Sequence, residues 1–281
     1  MRTCWTPDEA IVTIYVINLD RATERMARMQ VLLEARGLPF RRIPAVDGRA
    51  LPQETLAEWS GRHADGSLIL SPGEIGILLS QREAWSLIAA EGVPGIVFED
   101  DIHLAKGAET LLANLAWLPA DADLVKFETT GRKIAVSRRQ QAIAPGIQLA
   151  RLRSAHLGAA GYIVTPAAAR RLLAVVRRID RAVDHEIFDP VAPLFAELTI
   201  YQTIPALCIQ DQFVRRQQLG LGGEIERAWA IEKKKRKLPL QQKVLREGRR
   251  LGTQFAFAWA GSPLNPLSKS TTLRVPFAGD A

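Results

Sequence analysis

The chain has 281 residues, 47% of them apolar, which is enough for one large domain or two small ones with a sizeable core. No apolar stretch approaches the roughly 18 residues of a membrane-spanning helix, no secretory signal is expected, and two distant cysteines indicate neither a disulfide framework nor a zinc site, so a reducing cytoplasm is the expected location. The net charge of +7 lies almost wholly in residues 224–251, where ten basic and four acidic residues give +6, so the main domain is nearly neutral.

The first part of the chain predicts a strand, a helix and a second strand. Residues 11–19 form a β-branched run, IVTIYVINL, that is typical of a strand. Asp20 is placed to cap a helix that carries its apolar residues on one face and ends at Gly37. Residues 40–46 predict a second short strand, which ends in an Asp-Gly turn signal. This order is a βαβ unit.

Arg21 and Arg25 lie four positions apart, on one face of the predicted helix near its first turn. A helix N-terminus does not favour cations, so a bound anion would explain the pair. The alternative is that both arginines are solvated, which is the commoner outcome for a pair of arginines.

Residues 71–92 carry a complete set of helix signals. Ser71 is placed to cap the helix, a proline follows at the first helical position, Glu74 completes a capping box, and Gly92 ends the helix. The apolar stripe of this helix includes Trp85, which is therefore predicted to belong to the core.

The next strand runs into three consecutive carboxylates. Residues 95–98 (GIVF) predict a buried central strand, so that Glu99, Asp100 and Asp101 lie at its carboxyl end, where open α/β sheets bind ligands. Adjacent carboxylates repel one another, and oxygen-only ligands favour Mg2+ or Mn2+. Glu99 and Asp101 share a face of the extended chain, which predicts that they hold the metal while Asp100 points elsewhere. A solvated acidic turn is the alternative.

Three elements are predicted after the carboxylates: a helix over residues 108–118 and strands over residues 123–128 and 147–152. Lys126 and Glu128 share a face of the first of these strands, where they form a structural pair or face water, or where Lys126 binds a phosphate beside the carboxylates. Residues 131–146 are polar and basic without clear periodicity, which favours a mobile loop of the kind that forms lids or binding segments.

A second concentration of ionisable groups lies in residues 180–190. It follows a run of small residues at 156–165, which allows either the close approach of a ligand or tight sheet packing. His185 is a candidate for completing the metal site, and Asp184 or Glu186 is a candidate for a general base. The alternative is a capped loop before the next helix.

The C-terminal extension combines basic clusters with apolar residues. It follows a last β-rich run over residues 199–210 and includes the basic run at residues 233–237 (KKKRK). Pro239 breaks any single long helix, so two shorter basic segments are predicted, followed by disorder over residues 261–281. Anionic lipid attracts such segments, which predicts a peripheral contact with the inner face of the cytoplasmic membrane; a solvated tail is the alternative.

Three pieces of the sequence together resemble glycosyltransferase family 25, the group of lipooligosaccharide and collagen galactosyltransferases. They are residues 15–21 (YVINLDR) with Arg25, residues 71–76 (SPGEIG) with Ser80 and Trp85, and residues 98–102 (FEDDI). Four further pieces occur in the order in which the family would place them: residues 45–48 (AVDG), Lys126, residues 158–162 and Asp184. The resemblance covers roughly residues 11–211 and departs from the family at Ser80-Gln81, where the family usually has Ser-His.

The resemblance implies a GT-A type fold, in which a mixed, mostly parallel sheet flanked by helices forms a Rossmann-like nucleotide-sugar-binding core over residues 1–223, with a basic extension over residues 224–281. It implies an inverting, metal-dependent transfer of a galactose-like sugar from a UDP-sugar to a saccharide or glycolipid acceptor, in the synthesis of lipopolysaccharide or another surface glycan. Asp184 is assigned as the base that inversion requires, with Glu186 as the second candidate. Glu99, Asp101 and His185 are assigned to Mn2+ or Mg2+. Donor binding is assigned to Asn18, Arg21, Arg25, Asp47, Gly48, Asp100 and Lys126.

Two other functions fit parts of the sequence. A metal-dependent phosphotransferase or hydrolase would use the same acidic strand end, and a basic nucleic-acid-binding protein would use the extension. The main domain is nearly neutral and the basic run has no interleaved aromatic residues, so nucleic acid is not an expected partner. The expected partners are a nucleotide sugar, a saccharide or glycolipid acceptor and an anionic membrane surface.

Overall fold

The computed structural model describes residues 12–214, 219–220 and 269–280. In these residues the chain forms a nine-stranded sheet with helices on both faces and a second, three-stranded sheet. The strands are β1 (Thr13–Asn18), β2 (Phe40–Pro44), β3 (Gly95–Glu99), β4 (Ile102–Leu104), β5 (Leu124–Lys126), β6 (Glu128–Thr129), β7 (Lys133–Ala144), β8 (Ile147–Leu152), β9 (Gly161–Val164), β10 (Ile200–Ile204), β11 (Cys208–Gln210) and β12 (Ser270–Arg274). The helices are α1 (Thr23–Glu34), α2 (Gln53–Trp59), α3 (Pro72–Glu91), α4 (Glu109–Leu112), α5 (Pro166–Val175), α6 (Val183–Phe188) and α7 (Pro193–Glu197).

The large sheet is mixed, as predicted, with the strand order β2-β1-β3-β9-β5-β10-β8-β7-β12. The parallel order that the βαβ pattern predicts holds for β2-β1-β3, and β5 is also parallel to β10. The other described pairings in this sheet are antiparallel. Because β9 runs antiparallel to both β3 and β5, the carboxyl ends of β1, β2, β3 and β5 lie at one edge of the sheet. No helix in the described residues is long and apolar enough to cross a membrane.

The central strands are buried on both faces, so their side chains divide between two apolar clusters. Val16 of β1 shares one cluster with Met29 of α1, whereas Tyr15 shares the other with Trp85 of α3. Trp85 is fully buried and donates through Nε1 to Tyr162 Oη at 2.7 Å, which confirms its predicted place in the core. Packing on both faces holds the central strands in place, and with them the polar residues at the ends of these strands.

The two predicted helix starts have different outcomes. At α3 the capping box is present: Ser71 Oγ accepts from Glu74 N, and Gly92 ends the helix with a φ of 74°. At α1 the prediction that Asp20 caps the helix is wrong. A turn intervenes and the cap position falls on Ala22, which makes no side-chain cap bond. Asp20 instead forms an ion pair with Arg42, 2.5 Å from Arg42 Nη2 to Asp20 Oδ1.

Residues 131–146, predicted as a mobile loop, instead include strand β7, which forms a hairpin with β8. The register between the two strands shifts twice, between Val136 and Gln140 and between Ala142 and Ala144. The first shift places two extra residues in β7 and the second places one, so the period-two pattern of a strand is interrupted in the sequence. The predicted helix over residues 108–118 also shortens, to the single turn of α4.

The end of the described chain returns to the main domain. Strand β12 pairs antiparallel with β7, and the carbonyl of the buried Val275 accepts from Thr129 Oγ1 at 2.8 Å. Residues 270–280 are therefore ordered parts of this domain, and the prediction of disorder there is wrong, as is a domain boundary that excludes them. The basic region of residues 224–251, with its predicted helical segments and membrane contact, lies outside the described residues.

Candidate active site

The three carboxylates at the end of β3 point in two directions: Glu99 is the last residue of the strand, and Asp100 and Asp101 form the turn that follows it. Gln210, at the end of β11, donates through Nε2 to Glu99 Oε2 at 3.0 Å and to Asp101 Oδ1 at 3.4 Å. Asp100 turns away from them and accepts from Asn18 Nδ2 at 2.6 Å. The structure thus has the arrangement that the two-residue spacing predicts, with Glu99 and Asp101 on one side and Asp100 on the other.

Burial and like charge act together on Glu99 and Asp101. Burial raises the pKa of Glu99 well above its ordinary value, and the negative charge of Asp101 raises that pKa further. Burial also raises the pKa of Asp101, to about 6, with a contribution from Asp100. Gln210 supplies hydrogen bonds to both carboxylates but no positive charge. The pair is therefore suited to receive a cation, whose charge would favour the ionised form of both groups.

We expect Asp101→Asn to raise the melting temperature at neutral pH when no divalent cation is present. Folding raises the pKa of Asp101 from 3.8 to about 6, so the folded protein holds this proton more tightly than the unfolded chain. The stability of the wild-type protein therefore falls as the pH rises from about 4 to about 6, and the Asn variant lacks this loss. Thermal unfolding at both ends of this range measures the difference. An Asn variant that is less stable than wild type at both ends would contradict the prediction.

The residues assigned to donor binding near β1 lie together around Asp100. Besides its bond from Asn18, the Asp100 carboxylate forms an ion pair with Arg25 of α1, 3.1 Å from Arg25 Nη1 to Asp100 Oδ1. Asn18 is in turn fixed by Arg42, whose Nε donates to Asn18 Oδ1 at 3.0 Å. Arg25 therefore contacts the acidic end of β3 and is not simply a solvated arginine on the surface of α1.

Arg21 and Asp47 form a second ion pair in the same region, and both side chains are more exposed than those of the first pair. Asp47 is followed by Gly48, which is buried against the start of α3. A Cβ at position 48 would overlap the carbonyl oxygen of Pro72, so only glycine allows this close approach. The Asp-Gly turn after β2 therefore brings Asp47 to the edge of the sheet where β1 and β3 end.

We expect Arg25→Ala to raise the dissociation constant for UDP about tenfold, because the loss of one charge-assisted contact is worth on the order of 1.4 kcal/mol. Arg36, just beyond the other end of α1, provides the matched control, since its ion pair with Glu109 lies away from the strand ends. Calorimetric titration of UDP into both variants measures the effect. Equal affinities in wild type, Arg25→Ala and Arg36→Ala would return Arg25 to a structural role.

Lys126 does not join the donor group, so its assignment to donor binding is corrected. Its side chain is fully buried, and Nζ donates to Glu128 Oε2 at 2.8 Å and to the carbonyl of Gly158. Nζ also lies 4.5 Å from the centre of the Phe188 ring, a cation–π contact. A lysine with no exposed surface cannot reach a phosphate, so Lys126 forms the structural pair with Glu128 that the spacing allowed.

A cavity of about 710 Å³ lies beside Glu99 and Gln210. Its walls come from the start of α3, the loop after β6, the loop between β8 and β9, the start of α6 and the residues after β11. The charged or polar residues that line it include Glu74, Glu99, Arg132, Lys133, Asp184 and Gln210. A volume of this size is in the range of small-molecule sites, and the two predicted groups of ionisable residues meet in it.

Asp184 is held in the cavity wall by two backbone N–H groups. Its Oδ2 accepts from Gly158 N at 2.9 Å, and its Oδ1 accepts from His185 N at 2.9 Å. Gly158 has a φ of 99°, and a Cβ there would lie 2.5 Å from Glu128 Oε1. The loop that holds Asp184 is thus packed directly on the buried Lys126–Glu128 pair.

The other two candidates on α6 are placed differently. Glu186 is half-buried, burial raises its pKa, and it is not among the described residues that line the cavity. His185 lines the cavity, with its Nδ1 3.4 Å from Asp189 Oδ2. Within the described ranges, no group of three or more His, Cys, Asp or Glu side chains is arranged to hold a metal ion, so the structure does not bring His185 together with Glu99 and Asp101.

Two residues of the site were missed by sequence reasoning. Gln210 bridges Glu99 and Asp101, and its place at the end of the last β-rich run was the available signal. His156 lines the cavity, and its Nδ1 lies 2.7 Å from Gln202 Oε1. Burial and the nearby Lys126 lower the pKa of His156 to about 3, so the ring is neutral. No sequence pattern distinguishes this histidine from one on the surface.

The residue at the departure from the family pattern, Gln81, has a structural place. It is fully buried on α3, donates through Nε2 to the carbonyl of Ala159 at 3.2 Å and accepts from Tyr162 Oη at 2.5 Å. Ser80 beside it donates to Gly76 O and accepts from Val46 N. Gln81 therefore links α3 to the loop that precedes β9, the same loop whose Gly158 donates to Asp184.

Comparison with known proteins identifies a family for the chain. Residues 11–187 match the family described as glycosyltransferase family 25 (LPS biosynthesis protein). The chain is 30% identical over 240 residues to the lacto-N-neotetraose biosynthesis glycosyltransferase LgtE of Neisseria meningitidis serogroup B, covering 79% of this chain and 84% of that protein. It is 32% identical over 241 residues to LgtB of Neisseria gonorrhoeae, covering 78% and 83%.

Two further proteins are similar to the chain. The lipooligosaccharide biosynthesis protein lic2B of Haemophilus influenzae is 26% identical over 239 residues, covering 80% of this chain and 86% of that protein. A crystal structure of a glycosyltransferase involved in the glycosylation of the major capsid of PBCV-1 is similar with a TM-score of 0.40 and 10% identity, covering 79% of this chain and 100% of that one. The extent of the family match and the level of identity to LgtB show that the chain belongs to glycosyltransferase family 25 and is a glycosyltransferase.

Proposed function

We propose that the enzyme transfers a galactose-like hexose from a UDP-sugar to a saccharide or glycolipid acceptor, with inversion at the anomeric carbon, in the synthesis of lipopolysaccharide or another surface glycan. The observation that carries the proposal is a single cavity lined both by Glu99, from the acidic end of β3, and by Asp184, from the start of α6. The relatives named for lacto-N-neotetraose and lipooligosaccharide biosynthesis support the glycan class of the acceptor.

Glu99 and Asp101 fit a divalent cation as two oxygen donors on one side of the strand end. Their raised pKa values and their shared contact with the Gln210 amide support this assignment. Mg2+ and Mn2+ are commonly held by one or two carboxylates together with substrate phosphates, so a third protein ligand is not required. When bound, the cation would offset the negative charge that develops on the departing nucleoside diphosphate.

Asp184 is the proposed general base. An acceptor hydroxyl in the cavity would give its proton to the Asp184 carboxylate as its oxygen forms a bond to the anomeric carbon. The bond from that carbon to the diphosphate oxygen breaks on the opposite face, and UDP leaves with the bonding electrons. The two N–H bonds from Gly158 and His185 hold the carboxylate in position before the acceptor arrives.

The nucleotide end of the donor is proposed to lie beside Asn18, Arg21, Arg25, Asp47 and Asp100. These residues lie at or beyond the carboxyl ends of β1, β2 and β3. Arg21 pairs with Asp47, Arg25 pairs with Asp100, and the side-chain amide of Asn18 donates a hydrogen bond to Asp100. The arginines carry the positive charge that a diphosphate requires, and the neighbouring carboxylates hold their guanidinium groups in place.

The test is a panel of nucleotide sugars offered with a saccharide acceptor and Mn2+. We expect UDP to be released in amounts that depend on the acceptor, with the new linkage opposite in anomeric configuration to the donor when measured by NMR. A chelator is expected to abolish release, and added Mn2+ or Mg2+ to restore it. Binding of Mn2+ measured by electron paramagnetic resonance should be weakened by Glu99→Gln. Retention of configuration, or full activity in chelator, would overturn the corresponding part of the proposal.

A further inference from the structure

Two cations line the cavity where the loop after β6 enters β7: Arg132 is the last residue of the loop and Lys133 is the first residue of β7. Both side chains are exposed, and in the part of the chain that the structure describes neither forms an ion pair with a carboxylate. The loop that carries them is built by specific bonds. Gly131 N donates to Thr129 Oγ1 at 3.1 Å, and Arg274 Nη1 donates to Gly131 O at 2.7 Å. Arg132 and Lys133 are therefore held at the cavity by a defined loop.

In the described residues the carboxylates that line the cavity form no ion pair with these two cations, and each of them accepts hydrogen bonds from neutral donors of its own. Glu74 Oε2 accepts from Ser71 N at 2.8 Å, Glu99 accepts from Gln210, and Asp184 accepts from two backbone N–H groups. The acidic groups of the cavity are thus hydrogen-bonded to the protein, whereas Arg132 and Lys133, here called the rim, form no ion pair with a described carboxylate.

The sequence around the rim supplies no counter-charge either. Residues 129–179 contain ten arginines and lysines and no aspartate or glutamate. This 51-residue stretch forms the loop after β6, the β7–β8 hairpin, the loop with Gly158 and α5. A cavity bounded on this side by such a stretch favours a ligand that brings its own negative charge.

The place of the rim separates it from the nucleotide. The donor group around Asp100 lies on the side of β3 to which Asp100 turns, and its members are not among the described residues that line the cavity. Arg132 and Lys133 instead share the cavity with Asp184, the proposed base, whose partner in the reaction is the acceptor hydroxyl. Of the residues proposed for the donor side, Glu99 alone is among the described residues that line the cavity, and it is proposed to hold the cation; we therefore assign an anion at Arg132 and Lys133 to the acceptor side of the reaction centre.

We propose that Arg132 and Lys133 form an anion subsite for the acceptor, so that the preferred acceptor is a saccharide carrying a phosphate or carboxylate group near the hydroxyl that is glycosylated. This inference rests on the proposed function, because it takes Asp184 as the point at which the acceptor hydroxyl lies. It makes the two residues determinants of acceptor choice and gives them no part in bond breaking. Phosphate and carboxylate share the chemistry that the pair recognises, namely a compact anion that accepts hydrogen bonds.

The test measures binding and does not depend on turnover. Glucose and glucose 6-phosphate serve as neutral and anionic probes, and each is titrated at low salt into protein saturated with UDP, so that the nucleotide site is filled. We expect the wild-type protein to bind glucose 6-phosphate at least about tenfold more tightly than glucose, a difference of the size given by one charge-assisted contact. The variant Arg132→Gln/Lys133→Gln is expected to bind both probes within about twofold of each other.

The matched control is Arg139→Gln/Arg178→Gln, which removes the same charge from exposed positions that do not line the cavity. This control should keep the wild-type preference, and UDP affinity measured without sugar should be unchanged in both double variants. The proposal is overturned if wild type does not prefer the anionic probe, or if the control loses the preference equally. It is also overturned if the Arg132→Gln/Lys133→Gln variant binds UDP more weakly than wild type, because the anion that these residues bind would then be the donor diphosphate. Absence of sugar transfer would count against the proposed function alone.

Discussion

Asp184→Asn is expected to lower kcat for sugar transfer about a thousandfold, because a positioned general base contributes on the order of 10² to 10⁴ in rate. Asn has the shape of Asp but cannot take the proton of the acceptor hydroxyl. The change also has a small structural cost. The two carboxylate oxygens of Asp184 each accept a backbone N–H, whereas Asn has a single acceptor oxygen, so one of the bonds from Gly158 and His185 is lost. That loss is worth about 1 kcal/mol of stability and leaves the fold intact.

Steady-state kinetics on Asp184→Asn should show the decrease in kcat with nearly unchanged UDP affinity, since the donor residues lie elsewhere. Glu186→Gln is the matched control, because it removes a carboxylate from the same helix two positions away. If Glu186→Gln shows the thousandfold loss and Asp184→Asn does not, the base is Glu186. If both variants retain most of the activity, neither carboxylate of α6 takes the proton.

Lys126→Met is expected to destabilise the protein by about 3–5 kcal/mol, because it leaves the Glu128 carboxylate buried without its counter-charge. Both side chains are fully buried, so water cannot take the place of the lost ammonium group. Within the described residues, Glu128 Oε1 also has no hydrogen-bond partner that could compensate. For a chain of this size, the loss corresponds to a decrease in melting temperature of roughly 10 °C. The Met side chain keeps most of the apolar contact that the lysine stem makes.

The double variant Lys126→Met/Glu128→Leu separates the charge from the packing. Replacing both members of a buried ion pair by apolar residues is commonly far less costly than removing one, so the double variant should recover a large part of the lost stability. UDP affinity of the folded single variant should equal that of wild type if Lys126 is structural. A large loss of UDP affinity with unchanged stability would reinstate Lys126 as a donor-binding residue.

The sequence predicts the N-terminal half of the site well because local signals and tertiary structure agree there. The β-branched run before Asn18 and the apolar run before Glu99 are both central strands, and the capping box at Ser71 starts α3. Parallel pairing of β1 and β3 then brings their carboxyl ends together, so Asn18 and Asp100 meet although 82 positions separate them. The division of Glu99 and Asp101 from Asp100 matches the predicted alternation, although Asp100 and Asp101 lie in the turn between β3 and β4 and not in a strand.

The second half depends on features that a sequence pattern does not carry. The bulges in β7 remove the alternation by which a strand is identified. Gln210 reaches Glu99 because β11 pairs with β4 in a separate small sheet, which places Gln210 opposite Ile102, directly after the carboxylates. The spacing of Lys126 and Glu128 is the same for an exposed pair and a buried one. The Lys126–Glu128 pair is covered by the loop at Gly158 and by the ring of Phe188, which come from distant parts of the chain.

Strand β12 determines how the basic region is attached. Because residues 270–274 pair with β7, described parts of the same domain come both before and after residues 221–268 in the chain, so that stretch is joined to the domain at both of its ends. A truncation after residue 223 would remove the basic residues together with the strand that covers β7, and would leave a row of unpaired backbone groups at the edge of the sheet. An internal deletion that rejoins the chain ahead of Lys269 would remove the basic residues and keep that edge paired.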